Sequence, residues 1–238
     1  MKLTTWNCAR GFAKKQKVIF SNDGPDIAVI QECSKKSTET VLPDGYSALW
    51  VGDNLNIGMG VFYKTDLWSV RRLEDTTHGI QWVVPFEVRG PENFTLIAVW
   101  ACEVKGSKHE SYVGQLKRAL ESYSKWFGNR PVVVAGDFNS NAIWDKERPK
   151  WNHSTMVSAL GGHGLSSAYH AATKEEQGRE KTPTFHLHKN HEKPFHLDYI
   201  FVPDDWQKDR QMTMSIDYQL PPLSDHRPVS LCVSPPVI

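Results

Sequence analysis

The sequence predicts an α/β fold, on three features. Pro131-Val-Val-Val-Ala135 is an apolar run rich in β-branched residues, which reads as a strand buried on both faces. Asp26-Ile-Ala-Val-Ile30 is a second run of the same kind. Between them, 111–127 carries Tyr112, Leu116, Leu120, Tyr123 and Phe127 at helical spacing, with Lys117, Arg118, Glu121 and Lys125 mostly elsewhere around the axis. Gly128-Asn129 stops that helix and delivers the chain into the Pro131 strand. The strand–helix–strand crossover implies parallel pairing.

In chain order, Lys2–Trp6 reads as a first strand ending at Asn7. Residues 12–22 are basic and modestly helical, with Phe12, Val18 and Ile19 available to face inward, and Asp23-Gly24-Pro25 closes them. The Asp26 strand runs straight into Gln31 and Glu32. Residues 46–51, 57–63, 67–72 and 80–89 follow as successive strands, then Phe94–Trp100. Beyond the Pro131 strand, 154–160 is expected as a short helix ended by Gly161-Gly162, and 173–181 as a charged, mobile segment. Thr182–Leu187 and Phe195–Val202 are expected to pair as a hairpin around a polar turn near Lys189–Lys193. Val229–Val233 is the last strand.

A chain of 238 residues has ample length for a substantial core. Its net charge of +1 creates no global field toward nucleic acid or membrane, so recognition of phosphate must be local. Cys8, Cys33, Cys102 and Cys232 are scattered without a Cys-x-x-Cys pair. That pattern argues against a thiolate zinc site or a disulfide framework, and for free thiols in a reducing compartment. Met1–Trp6 lacks the apolar core of a signal peptide, and no segment approaches the length of a membrane span. A cytoplasmic protein is expected.

Chemistry gathers where the apolar strands stop. Asp137 and Asn139 follow Gly136 at once, and such strand ends are where open α/β sheets bind ligands. Asp137 could hold a metal ion or take a proton from water, and the Asn139 amide could donate to an anionic oxygen; both residues also favour simple turns. Asp198 lies inside His-Leu-Asp-Tyr-Ile-Phe, where a carboxylate is costly to bury unless a cation or imidazole pairs with it. Ser224-Asp225-His226-Arg227-Pro228 precedes the last strand.

Two other groups invite functional readings. His186, His188, His191 and His196 suggest a metal, since a spacing of two puts His186 and His188 on one strand face, although hairpin histidines are usually solvated or structural. Residues 141–153 carry Trp144, Trp151, Lys146, Arg148 and Lys150. Exposed indoles stack on bases and cations meet phosphates, while Asp145 and Glu147 offset part of the charge and leave an ordinary surface loop as the competing reading. Asn7, Glu32, Asp137, Asn139, Asp198, Asp225 and His226 together suit phosphodiester cleavage: carboxylates gather a hard divalent cation, and an imidazole and amides face the phosphate.

Thr5-Trp6-Asn7, Gln31-Glu32, Gly136-Asp137-Phe138-Asn139, His196-Leu197-Asp198-Tyr199 and Ser224-Asp225-His226-Arg227-Pro228 resemble, in this order, the motifs of the endonuclease/exonuclease/phosphatase superfamily, of exonuclease III and DNase I-like type. The resemblance implies one domain over residues 1–238, a four-layer α/β sandwich of two packed mixed sheets flanked by helices. It implies Mg2+, with Mn2+ able to substitute, held chiefly by Glu32 with Asn7 and Asp225 close by. His226 would contact the scissile phosphate, polarised by Asp198. Asp137 would orient or deprotonate the attacking water, and Asn139 would align the phosphate. Trp100 stands where the family commonly places a His or Tyr, so it would donate its single N–H or wall the pocket. The expected activity is that of a monomeric DNA endo- or exonuclease. A phosphatase or a phospholipid-headgroup hydrolase (inositol phosphate or sphingomyelinase-like) comes second. A non-catalytic binding module is the third reading, against which the retained acids argue.

Overall fold

The apolar runs form strands, and the strands assemble into two six-stranded sheets. A computed structural model describes residues 1–21, 23–39, 42–73, 82–105, 111–146, 151–217 and 223–235. The first half runs β1 (Lys2–Asn7), α1 (Phe12–Lys15), α2 (Lys17–Phe20), β2 (Ile27–Cys33), α3 (Lys35–Glu39), β3 (Tyr46–Asn54), β4 (Ile57–Lys64), β5 (Ser69–Arg72), β6 (Val83–Arg89) and β7 (Phe94–Trp100). The second runs α4 (Val113–Ser122), β8 (Val132–Asp137), α5 (His153–Gly162), β9 (Leu165–Ser167), α6 (Ala168–Thr173), β10 (Phe185–His186), β11 (Pro194–Phe195), β12 (Asp198–Pro203), α7 (Asp204–Asp209), β13 (Met212–Ile216) and β14 (Val229–Val233). One sheet has the order β13-β14-β1-β2-β4-β3 and the other β5-β6-β7-β8-β12-β9. Each is mixed: β1 and β2 are parallel, as are β7 and β8, and the remaining neighbours are antiparallel.

Period-two alternation sorts the side chains into layers. Leu3, Ile27, Val29 and Val61 of the first sheet meet Phe86, Leu96, Ala98 and Val133 of the second in a core between the sheets. Alternate residues of the second sheet, Ile97, Val99, Val132 and Val134, pack on Leu116, Leu120, Met156 and Leu160 of α4 and α5. On the first sheet, Trp6, Ala28, Ile30 and Phe62 pack on Phe12 and Ile19 of α1 and α2. The result is helices, sheet, sheet, helices. Each fully buried Val, Leu, Ile or Phe contributes about 1.5–3 kcal/mol.

Two details fix the sheets at the end that carries the polar residues. Gln31, fully buried, donates from Nε2 to Thr5 Oγ1 at 2.9 Å and across the interface to the Val99 carbonyl at 3.0 Å. Gly136 lies against that same carbonyl at a φ of +154°, and a Cβ there would run into it, so no other residue fits.

Four expectations from the sequence are corrected. The 111–127 helix spans only Val113–Ser122, followed by a 3₁₀ turn over Ser124–Trp126. Tyr112 has a φ of 51° and cannot continue a helix, and Phe127 leaves the stripe to stack on His163 at 4.1 Å. The 182–202 hairpin shrinks to the two-residue strands β10 and β11, because His188 and Lys189 take φ values of 56° and 57° that end a strand. The stretch from Asp198 instead enters the main sheet between β8 and β9, and with His188 in a turn the expected shared face of His186 and His188 does not form. Finally, 173–181 is tied inward: Glu175 accepts from Tyr169 Oη at 2.7 Å and Glu180 from Asn141 Nδ2 at 3.1 Å. Strand β13 and helices α6 and α7 were not anticipated, and residues 80–81 of the expected 80–89 strand lie outside the described residues.

All four cysteines are free, as expected, and among the described residues no helix is long and apolar enough to cross a membrane. On β6, the buried Glu87 carboxylate meets Arg130, Arg71 and Arg89 at 2.7, 3.0 and 3.1 Å. The Arg130 hydrogen bond first, then those of Arg71 and Arg89, hold its carboxyl down at about 2. A carboxylate so depressed stabilises the fold fully above its unfolded value of about 4.3, and that contribution fades as pH falls. Glu87→Gln should therefore lower Tm at neutral pH, and the gap to wild type should close in a pH series taken from about 4 toward 2. A gap that stays constant across the series would remove Glu87 from acid stability.

Candidate active site

Strand polarity brings the singled-out residues to one edge. The parallel strands β1 and β2 both end there, placing Asn7 opposite Gln31 and next to Glu32. Strand β8 ends there with Asp137, and the antiparallel β12 begins there with Asp198, in register with it. Strand β14 also starts at this edge, so the preceding loop brings Ser224, Asp225 and His226 alongside. A bulge between Gln31 and Cys33 gives Glu32 a φ of 58°.

Asp137 and Asp198 are fully buried, and directly opposed like charges on one sheet face repel. His226 relieves this. Its Nδ1 is 2.9 Å from Asp198 Oδ2, and its Nε2 is 3.9 Å from Asp137 Oδ2. Burial alone would pull the imidazole down, but the Asp198 and Asp137 charges and the Asp198 hydrogen bond hold it up at about 10. Burial pushes the Asp137 carboxyl up to about 7, with the Asp198 charge adding, while the His226 charge and N–H donors from Asn7 and Asn139 restrain it. At neutral pH the imidazole is thus a cation, and Asp137 is poised to exchange a proton.

The two asparagines serve the carboxylates. Asn7 Nδ2 donates to Glu32 Oε1 at 3.2 Å and to Asp137 Oδ2 at 3.0 Å, so one amide from the first sheet spaces two acids. Asn139 gives its backbone N–H to Asp137 Oδ1 at 2.9 Å and its Nδ2 to Asp137 Oδ2 at 3.0 Å and Ala101 O at 2.9 Å. Both amide hydrogens of Asn139 are committed, so in this arrangement it orients Asp137, and no N–H is left over for a phosphate. The Ser224 hydroxyl donates its one proton to the Asn7 carbonyl at 2.7 Å, with Asp225 Oδ1 beside it at 3.3 Å.

Thr184 was missed in the sequence. Fully buried, it receives the backbone N–H of Leu197 and Asp198 on Oγ1 at 2.9 and 3.0 Å, and that of Arg227 on its carbonyl at 2.6 Å. It thereby ties Asp198 to the loop that carries His226. No spacing rule announces such a residue. Phe185, next in the chain, covers the His226 ring at 4.5 Å.

Asp137, Asp198 and His226 bring donor atoms within 4.8 Å of one another, a spacing that could hold a metal ion. The imidazole, however, is committed to Asp198 at Nδ1, which leaves only Nε2 of that ring to face an ion. Glu32 fits a cation better. It is a half-buried carboxylate held at positive φ, and among the described residues one amide donates to it, so the remaining lone pairs suit a hard ion. Asp225 is likewise half-buried, and the charges of both acids act on the same Lys15 ammonium.

The aromatic candidates separate. Trp100 lies in register with Asp137, but its ring is only 7 % exposed and packs edge-on against Trp82 at 4.7 Å in the core between the sheets. Trp144 is exposed, Trp151 is partly buried, and both lie near Asn139. Arg148 and Lys150 lie outside the described residues. Of the histidines, His186 and His191 face each other at 4.9 Å, while His196 turns inward to the Thr182 carbonyl at 2.8 Å, so the four form no common cluster.

The fold recurs in solved structures. A 3'-5' exonuclease (NExo) from Neisseria meningitidis is 16% identical with a TM-score of 0.69, over 98% of this chain and 99% of that one. An AP endonuclease from Archaeoglobus fulgidus is 17% identical with a TM-score of 0.69, again over 98% and 99%. A mannosyl-6-phosphatase from Bacteroides thetaiotaomicron is 16% identical with a TM-score of 0.64, over 98% and 99%. Likeness at these identities shows the DNase I-like fold alone. No curated protein matches the sequence. The Endonuclease/Exonuclease/phosphatase family model matches residues 4–226, a span that contains every acid, amide and imidazole at this edge, and the chain belongs to that family of metal-dependent phosphoesterases.

Proposed function

We propose that the chain is a divalent-metal-dependent phosphodiesterase that hydrolyses DNA, with Mg2+ as its ion and Mn2+ able to substitute. The observation that carries this reading is the buried Asp198–His226–Asp137 group standing beside the Glu32 carboxylate with Asn7 between them. Bound at Glu32, with Asn7 and Asp225 at its margin, the ion would neutralise charge at the phosphate and on the departing oxygen. The protein does the rest. His226, kept cationic by Asp198, donates from Nε2 to a non-bridging oxygen as charge builds there. Asp137, raised toward neutrality and gripped by two asparagines, takes the proton of the attacking water. Trp100, buried in the core in register with Asp137, would help keep water from that end of β8, which strengthens these interactions.

Neighbours that act on DNA support the choice of substrate: the exonuclease, the AP endonuclease and a 3' phosphatase from Neisseria bound to a product DNA hairpin. A small phosphomonoester is the second reading. The net charge of +1 favours it, because duplex binding draws on several phosphate contacts.

With Mg2+ present, plasmid or abasic-site DNA should be cut while inositol phosphates, sugar phosphates and sphingomyelin are untouched; the reverse pattern would reject the first reading for the second. His226→Ala and Asp198→Asn should each lower kcat/KM by about 10²–10⁴-fold with the fold intact by circular dichroism, and undiminished turnover would refute their roles. Calorimetry should show Mg2+ or Mn2+ binding to wild type and about 10–100-fold weaker binding to Glu32→Gln, whereas equal affinities would place the ion elsewhere.

A further inference from the structure

A second concavity adjoins the reacting centre at Asn139. It encloses about 220 Å³ and is lined by Tyr112, Trp144 and Trp151 together with Asn139, Ser140 and Asn141. Trp144 and Tyr112 are 46 % and 42 % exposed, a large apolar outlay for two neighbouring rings.

The rings are fixed, not loose. Trp151 is anchored by its indole N–H to the Val113 carbonyl at 3.0 Å, and Trp144 rests on Phe195 at 5.0 Å. Trp144 ends the 3₁₀ turn Ala142–Trp144, in which the N–H of Ile143 is capped by Asn141 Oδ1 at 3.0 Å. Asn141 is itself locked from beneath. Its Nδ2 lies 3.0 to 3.1 Å from the His196 carbonyl, Tyr199 Oη and Glu180 Oε2, and His170 Nε2 stands 3.1 Å from the other oxygen of Glu180. A buried polar network therefore holds an aromatic wall at a set distance from Asp137, four residues back along the chain.

Size and charge narrow the occupant. The volume is below the roughly 300–1,000 Å³ of pockets for drug-sized ligands, which leaves room for one ring system. The Asp145 carboxylate at the rim accepts the N–H groups of His153 and Ser154, both at 2.8 Å, and so is held against the start of α5. Lys146 beside it supplies a cation. A flat heterocycle attached to a phosphate matches these conditions. We propose that this cleft binds one nucleobase of an unpaired nucleotide adjoining the scissile phosphate, so that the enzyme acts on single-stranded or frayed DNA. The link to catalysis rests on the nuclease reading above; the binding itself does not.

The test uses the full chain carrying His226→Ala, to stop turnover, and a labelled single-stranded oligonucleotide compared with copies lacking one base at successive positions. Fluorescence anisotropy should show that removing one particular base weakens binding by about tenfold, the scale of a single base–aromatic stack. Adding Trp144→Ala or Tyr112→Ala should shrink that penalty to less than about twofold, and Trp144→Phe should restore most of it, which separates stacking from loss of fold. A base-removal penalty unchanged by Trp144→Ala, or absent at every position, would overturn the cleft. If no DNA is cut by wild type but the base-dependent binding stands, the nuclease reading falls and the cleft survives; normal cleavage without base dependence removes the cleft alone.

Discussion

The structure turns on a carboxylate that has no solvent to rely on. Asp137 is fully buried where the two sheets meet, and it takes hydrogen bonds from Asn7 of one sheet and Asn139 of its own. An ion withdrawn from water costs several kcal/mol unless its partners are near ideal. Asp198, in register across the ladder, makes that cost worse, and among the described residues His226 is the cation that meets both acids. The imidazolium therefore offsets the charge of both acids at this edge. The same balance leaves Asp137 near neutrality, where a proton is easily exchanged. Burial thus sets both the stability problem and the reactivity.

Local strain gathers around the same point. Ala9, Arg10, Glu32 and Asn139 all take positive φ without being glycine, and Gly136 sits where only glycine fits. Such residues cost about 1–3 kcal/mol each and persist where the surroundings over-determine them. Here Gln31 ties the sheets through the Val99 carbonyl that presses on Gly136, and Thr184 ties Asp198 to the His226 loop. Two of the strained residues, Glu32 and Asn139, thereby hold their polar groups on Asn7 and Asp137.

Much of this was legible in the sequence because the signals are local. A buried β-branched run that stops at Gly136-Asp137, or a strand that runs into Gln31-Glu32, shows both the strand and the position of its polar end. Parallel pairing across the α4 crossover followed from the helix between two strands. What stayed hidden depends on pairing choices that composition does not encode. The stretch from Phe195 to Val202 reads equally well as one arm of a hairpin, and only the left-handed turn at His188 and Lys189 sends it to β8 instead. Thr184 and the Glu180–Asn141–His170 network join residues far apart in sequence, so no periodicity could reveal them. Trp100 shows the limit in the other direction: its position beside Asp137 was legible, but its ring turns toward Trp82 and away from solvent.

Net charge bears on how such a site would hold its substrate. Proteins that grip duplex DNA do so largely by releasing counterions, through many lysines and arginines spread along the backbone. This chain carries 28 basic and 27 acidic residues, and several of its arginines are already engaged, three of them on Glu87 and Arg210 on Glu92. With acids nearly as numerous as bases, little net positive charge is available to wrap a duplex. Affinity then has to come from short-range contacts close to the reacting phosphate, where the aromatic wall above Asn141 offers a flat face and the fixed imidazolium of His226 a hydrogen-bond donor. Recognition built that way favours a strand whose bases are free to leave the stack. In the proposed reading it would also place binding and chemistry on the same few residues after β8, so that the segment from Asp137 to Trp144 would orient the reacting groups and the substrate together.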